Sequence, residues 1–89
     1  MTDQEIIQKL QKIEGTSDVA KIHSSFSFVR QIGNDSQDVV LSILDFGEQA
    51  PEEQRYICVA EADNGKRTCG NQNSLISLAI SDIHWEKLD

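Results

Sequence analysis

Arg55-Tyr-Ile-Cys-Val-Ala-Glu-Ala-Asp63, then Asn64-Gly65, then Lys66-Arg-Thr-Cys-Gly70: this stretch decides the fold. The first run is apolar and strand-like, the last is short and polar, and Asn-Gly between them readily takes the positive φ that a type I′ hairpin turn requires. With Asn64 and Gly65 as a two-residue turn, Asp63 faces Lys66, Ala62 faces Arg67, Glu61 faces Thr68 and Ala60 faces Cys69. Tyr56, Cys58, Ala60 and Ala62 then share one face with Cys69, and Ile57, Val59 and Glu61 point the other way. Cys58, Ala60 and Cys69 are small, so that face admits a closely packed helix.

The helix follows directly. From Ser74 to Leu88 apolar residues recur at helical spacing, with Leu75, Ile76, Ala79, Ile80 and Ile83 within about 140° of arc. Leu78 and Trp85 fall on a different side. Trp85 either closes over the first helix as core or stays exposed as an interface anchor, and the sequence leaves both open.

Toward the N-terminus, Val39-Val-Leu-Ser-Ile-Leu-Asp-Phe46 is apolar on both faces, the pattern of a central strand or one covered on both sides. Gly47 to Gln54 joins it to the next strand. That is longer than a tight hairpin needs, and the segment is expected to be the most mobile of the chain. Phe26-Ser-Phe-Val-Arg-Gln-Ile32 sets Phe26, Phe28, Arg30 and Ile32 on one side of a further strand, followed by turn formers at Gly33-Asn-Asp-Ser36. Thr16 to Ser25 is ambiguous. Thr2-Asp3-Gln4-Glu5 fits a capping box, after which Ile6, Ile7, Leu10 and Ile13 form a narrow apolar stripe ending at Gly15.

The expected architecture is a single α+β domain over residues 1–89. It is a two-layer sandwich in which an antiparallel sheet of three to four strands carries an N-terminal and a C-terminal helix on one face. This order of elements resembles that of double-stranded-RNA-binding domains in topology. Such a likeness implies nucleic-acid binding, for which the chain offers Lys66, Arg67 and Lys87. However, Gly70-Asn-Gln-Asn-Ser74, at the entry to the last helix, lacks the clustered lysines that the family presents there.

Charge narrows the function classes. The net charge of −7 arises wholly between Gly33 and Asn64, where Asp35, Asp38, Asp45, Glu48, Glu52, Glu53, Glu61 and Asp63 face a single base, Arg55. Such a field favours cationic partners and repels phosphate backbones. No window approaches the ~18 apolar residues of a membrane span. The acidic start, Met-Thr-Asp-Gln-Glu, has neither the basic region nor the apolar stretch of a secretory signal. A cytoplasmic protein with reduced thiols is therefore expected, and Asn34-Asp35-Ser36 carries little weight as a glycosylation sequon.

Catalytic and metal constellations are not legible. Cys58 and Cys69 sit diagonally across the expected hairpin, about 7–8 Å apart and too far for an unstrained disulfide, so two buried thiols are expected. His23, His84 and the cysteines lack the short spacings of a zinc site, and no cofactor is expected. Ser24 and Ser25 adjoin His23 in sequence without an evident orienting group. Asp45-Phe-Gly47 resembles a kinase tripeptide with no other kinase element around it.

The expected function is thus a small, non-catalytic protein–protein interaction module. It docks a basic partner through the acidic 45–63 sector, with Asp45, Glu48, Glu52, Glu53, Tyr56, Leu78 and Trp85 as contact residues. The alternatives are nucleic-acid binding, a subunit contributing to a shared enzyme site, and a redox role for the two thiols. A homodimer formed through the Lys66–Gly70 edge or the Trp85 face is compatible with each.

Overall fold

The computed structural model describes residues 1–89. Helix α1 spans Asp3–Gln11, and strands β1 and β2 span Lys21–Ile32 and Asp35–Asp45. A 3-10 turn at Glu52–Gln54 precedes β3, Tyr56–Ala62, and β4, Arg67–Cys69. Helix α2, Ile76–Ser81, and a 3-10 turn at Trp85–Leu88 complete the chain. The four strands form one antiparallel meander in the order β1-β2-β3-β4. The architecture is α+β, with a helix at each end of the sequence.

The fold reverses at Asn64-Gly65 as expected, but with a different register. Val59 pairs with Cys69, Ala60 with Thr68 and Glu61 with Arg67, and the Ala62 N–H donates to the Lys66 carbonyl. The loop is therefore Asp63-Asn64-Gly65, three residues, with only Gly65 at positive φ (84°). A three-residue loop ending in a left-handed glycine matches the twist of its strands as well as a type I′ turn does. The side chain of Asn64 selects it, since its Oδ1 accepts from the Lys66 N–H and its Nδ2 donates to the Leu88 carbonyl. The tight two-residue turn lies at Gly33-Asn34 instead, between the paired Ile32 and Asp35. Gly33 there has φ 60°, as the first central position of a type II′ turn requires.

One residue of slip exchanges the faces of β4. Thr68, not Cys69, joins Cys58, Ala60 and Ala62 on the inner face, and Cys69 is exposed. The expectation of two buried thiols is corrected accordingly. Their shared face, on which the diagonal-disulfide argument rested, does not exist.

The core gathers Val39, Leu41 and Ile43 from β2, Cys58, Ala60 and Ala62 from β3, and Ala79, Ile83 and Leu88 from the C-terminal segment. The small side chains of β3 admit α2 at close range, for Cys58, Ala60 and Ala79 are wholly buried. The expected single helix from Ser74 to Leu88 is broken, however. Asp82 accepts from Asn73 Nδ2, and Asn73 exchanges two backbone hydrogen bonds with Tyr56, so the helix end is tied to the sheet. The chain turns at His84 (φ −90°, ψ 79°). A straight helix would carry Leu88 away from the sheet; the turn returns it to the core. Leu75 precedes α2 and is exposed rather than facing the sheet.

Trp85 packs against the core and meets Phe28 edge-on, ring centroids 5.8 Å apart at 74°. It belongs to the core margin and does not close over α1. Helix α1 has its capping box but contributes one buried residue, Ile7, which stands outside the core cluster. Ile6, Leu10 and Ile13 are exposed. The helix leans instead on the end of β2, where a Cβ at Gly47 would come within 2.7 Å of Gln4 Oε1 and 3.3 Å of Ile7 Cδ1, and on β1 through Lys21–Asp3.

Candidate functional site

Pairing assigns the faces of every strand. Gln37, Val39, Leu41 and Ile43 of β2 point inward to the core; Asp38, Val40, Ser42 and Leu44 point outward. Their partners place Ile22, Ser25, Ser27 and Val29 of β1 and Ile57, Val59 and Glu61 of β3 on that same outer face. β2 is central, as its two-sided apolar pattern implied, but its outer side is not covered: Val40 is exposed, and Ile22 and Val29 beside it are more so. A shallow groove there is lined by Ile22, Val40, Ser42, Leu44, Val59, Glu61 and Arg67.

The acids of the middle third occupy two places. Glu48, Glu52 and Glu53 lie at one end of the sheet, in the connection from β2 to β3. Glu61 and Asp63 lie at the other end with Asp35 and Asp38, and Asp63 Oδ2 accepts from the Asp38 N–H at 3.2 Å. The seven residues of β3 hold these groups about 20 Å apart. The sector from residue 45 to 63 is therefore not one patch. It brackets the outer apolar strip from both ends.

The predicted contact residues divide accordingly. Glu48, Glu52 and Glu53 are exposed, with no cation in ion-pair range. Asp45 is occupied internally: it accepts two hydrogen bonds from Arg55 and one from the Gly47 N–H at 2.8 Å. Burial pushes its pKa upward, but the Arg55 and Gly47 hydrogen bonds and the Arg55 charge outweigh that, and the net shift is downward. The same contacts raise Arg55. Asp45, expected as a contact residue, is held in these internal bonds, and the loop it closes is tied by Phe46 N–H to Arg55 O and Ala50 N–H to Gly47 O. Tyr56 and Trp85 point to the core side and pack there. Leu78 is exposed on the free side of α2.

The remaining candidates do not converge. No three His, Cys, Asp or Glu side chains come together in a metal-holding group. Cys58 is buried, which pushes its thiol pKa upward, while Cys69 lies on the outer face. His23 Nδ1 lies 3.0 Å from Ser24 Oγ, but the histidine is exposed and no carboxylate hydrogen-bonds its ring. Lys66 donates to the Asp89 main-chain oxygen and Arg67 faces Glu61 at 3.8 Å, so two of the three cations suggested for nucleic acid have carboxylate or carbonyl neighbours.

Ile22, Val29 and Val40 were missed as surface residues. The available signal was the serine pattern: Ser25 and Ser27 alternate along β1 with the inner Phe26 and Phe28, and Ser42 interrupts the apolar run of β2, which sets polar side chains on the outer face as on a sheet open to water. The chain matches no protein-family model, no curated protein and no solved structure. No helix is long and apolar enough to cross a membrane.

Proposed function

We propose that this chain is a protein–protein interaction module without chemistry of its own, which receives its partner on the outer face of the sheet. The observation that carries this reading is the uncovered strip Ile22–Leu44–Val40–Val59, bracketed by Glu48, Glu52 and Glu53 at one end and by Asp38 and Glu61 at the other. An apolar centre with a charged rim is the anatomy of a protein interface. Acids at both ends favour a partner whose contact surface is apolar with a basic margin, and they accelerate encounter more than they tighten the complex. Apolar burial would supply the affinity, and Leu78 lies on a separate surface.

The double-stranded-RNA-binding-like topology remains a reading of element order, and fold analogy does not carry function. The free acids and the engaged Lys66 and Arg67 weigh against phosphate contact.

The test uses partners captured from the native host on the immobilised chain. They are compared with those retained by Val40→Lys and by the Glu48→Gln/Glu52→Gln/Glu53→Gln variant. A partner lost with Val40→Lys, and bound more slowly by the triple variant or as salt rises from about 50 to 500 mM, supports the reading. Partners indifferent to both variants overturn it.

A further inference from the structure

β1 is the long free edge of the sheet: twelve residues, Lys21–Ile32, paired with β2 alone. Its hydrogen-bonding phase follows from the rest of the ladder. Phe46 N–H donates to Arg55 O and Asp63 N–H to Asp38 O, so even-numbered residues of β2 bond toward β3 and odd-numbered ones toward β1. The β1 partners of those odd residues are Ser24, Phe26, Phe28, Arg30 and Ile32. The main-chain groups of Ser25, Ser27, Val29 and Gln31 therefore point away from the sheet.

Natural edges are usually blunted by bulges, prolines or inward charges. Here the bulge sits at Ile22–Ser24 and the inward cation is Arg30, so both devices lie at the ends. Ser25 to Val29 has neither. On the core side of the same edge, Phe26 is 56% exposed and Phe28 is 38% exposed despite its contact with Trp85. α2 packs on β3, and the tail meets β1 at Phe28 and Arg30, through Trp85 and Asp89, while Phe26 stays exposed.

We infer that β1 pairs antiparallel with β1 of a second copy of this chain, about a two-fold axis at Ser27, joining two four-stranded sheets into one of eight. That register sets Ser27 against Ser27 of the second copy and Ser25 against Val29, all with outward main-chain groups, so they form the hydrogen-bonded pairs. Phe26 then faces Phe28 of the other copy in the non-hydrogen-bonded positions, where side chains lie closest. The result is a continuous aromatic row, Trp85–Phe28–Phe26 and its symmetry mate.

Charge permits this partner. The edge segment holds no acid, and its cations are balanced from elsewhere, Lys21 by Asp3 and Arg30 by Asp89. In the stated register Arg30 opposes Ser24, so no like charges meet. Seven paired residues span about 24 Å, and a sheet about 10 Å thick then buries roughly 240 Å² of projected surface per copy. The exposed parts of Phe26, Phe28 and Val29 add to this on each copy, and the total stays under the ~1,200 Å² of stable complexes, in the range of weak, transient ones. A reversible dimer in the micromolar range is the matching expectation. The two-fold consumes the long edge and leaves only three-residue β4 free, so the assembly closes at two.

The test is sedimentation equilibrium of the full chain from about 1 to 500 μM. A mass rising from 10.0 kDa toward twice that value, and no further, supports the inference. Register is read by oxidative cross-linking in a Cys69→Ser background. Ser27→Cys should cross-link to itself, since Cα atoms in such pairs lie about 5.5 Å apart, and Val29→Cys should cross-link at least tenfold more slowly. Phe26→Lys alters a side chain already exposed in the single chain and should shift dimerisation at least tenfold toward monomer. Monomer throughout the range overturns the inference, as does a dimer unaffected by Phe26→Lys or cross-linked better through Val29→Cys.

Discussion

Arg55 grips Asp45 through two parallel hydrogen bonds, Nε to Oδ1 at 3.0 Å and the terminal nitrogen to Oδ2 at 3.2 Å, while its guanidinium lies 5.0 Å over the ring of Tyr56. Asp45 pairs with Tyr56 across the two strands and Arg55 directly precedes Tyr56, so the grip closes the β2–β3 connection at its base. Because the folded state lowers the Asp45 pKa, the clamp stabilises the protein above the unfolded carboxylate value of about 3.9 and loses that contribution as pH falls through the folded value. Asp45→Asn should cost about 1–3 kcal/mol at pH 7. It should also remove part of the acid-unfolding slope below about pH 4, followed by circular dichroism. An unchanged acid limb would show that the pair contributes nothing.

Thr68 carries the consequence of the hairpin register. Its hydroxyl is buried with no hydrogen-bond partner. Replacing an unsatisfied polar group by an apolar one of similar shape removes a desolvation penalty. Thr68→Val should therefore raise stability by about 0.5–1 kcal/mol in urea unfolding, whereas the two-residue turn would put this residue on the wet face and make the change neutral.

The two cysteines should separate chemically. With iodoacetamide at pH 8, Cys69 should alkylate within minutes in the native protein. Cys58, buried and with its thiol pKa raised, should react only in denaturant. Mass spectrometry reads one adduct, then two. Two adducts under native conditions would contradict the burial of Cys58.

Gly70 is buried where β4 meets the end of α2. A Cβ there would stand 2.8 Å from both the carbonyl carbon and oxygen of Asp82. Backbone on that side cannot rotate away, so Gly70→Ala should destabilise by about 2–4 kcal/mol. Gly65→Ala, with open space around its Cβ, is penalised for its positive φ alone and should cost about 1 kcal/mol.

Strand identity and order were readable because hydrophobic pattern and turn chemistry agreed along the middle of the chain. The β3–β4 register was not readable. Asn-Gly fits both a two-residue and a three-residue loop, and the choice is made by Asn64 reaching Leu88, twenty-four residues away. The helix break at Asp82 was hidden for a similar reason: its cause is Asn73, fixed by Tyr56 on another strand. Periodicity over Ile6, Leu10 and Ile13 indicated a helix correctly but not what it would cover, since amphipathicity reports a preference and not a partner. The two acidic ends were legible as composition, and only strand pairing revealed that they lie apart.

The tail gathers distant parts of the chain. The Leu88 carbonyl accepts from Gln37 and Asn64, Asp89 meets Arg30 and Lys66, and the Leu88 side chain is wholly enclosed. Strand β1, strand β2 and the hairpin loop all await residues that come after every one of them in the chain. A nascent chain can pair its strands while still tethered, yet it cannot seal them, so the final cooperative step of folding belongs after residues 88 and 89 have cleared the exit tunnel.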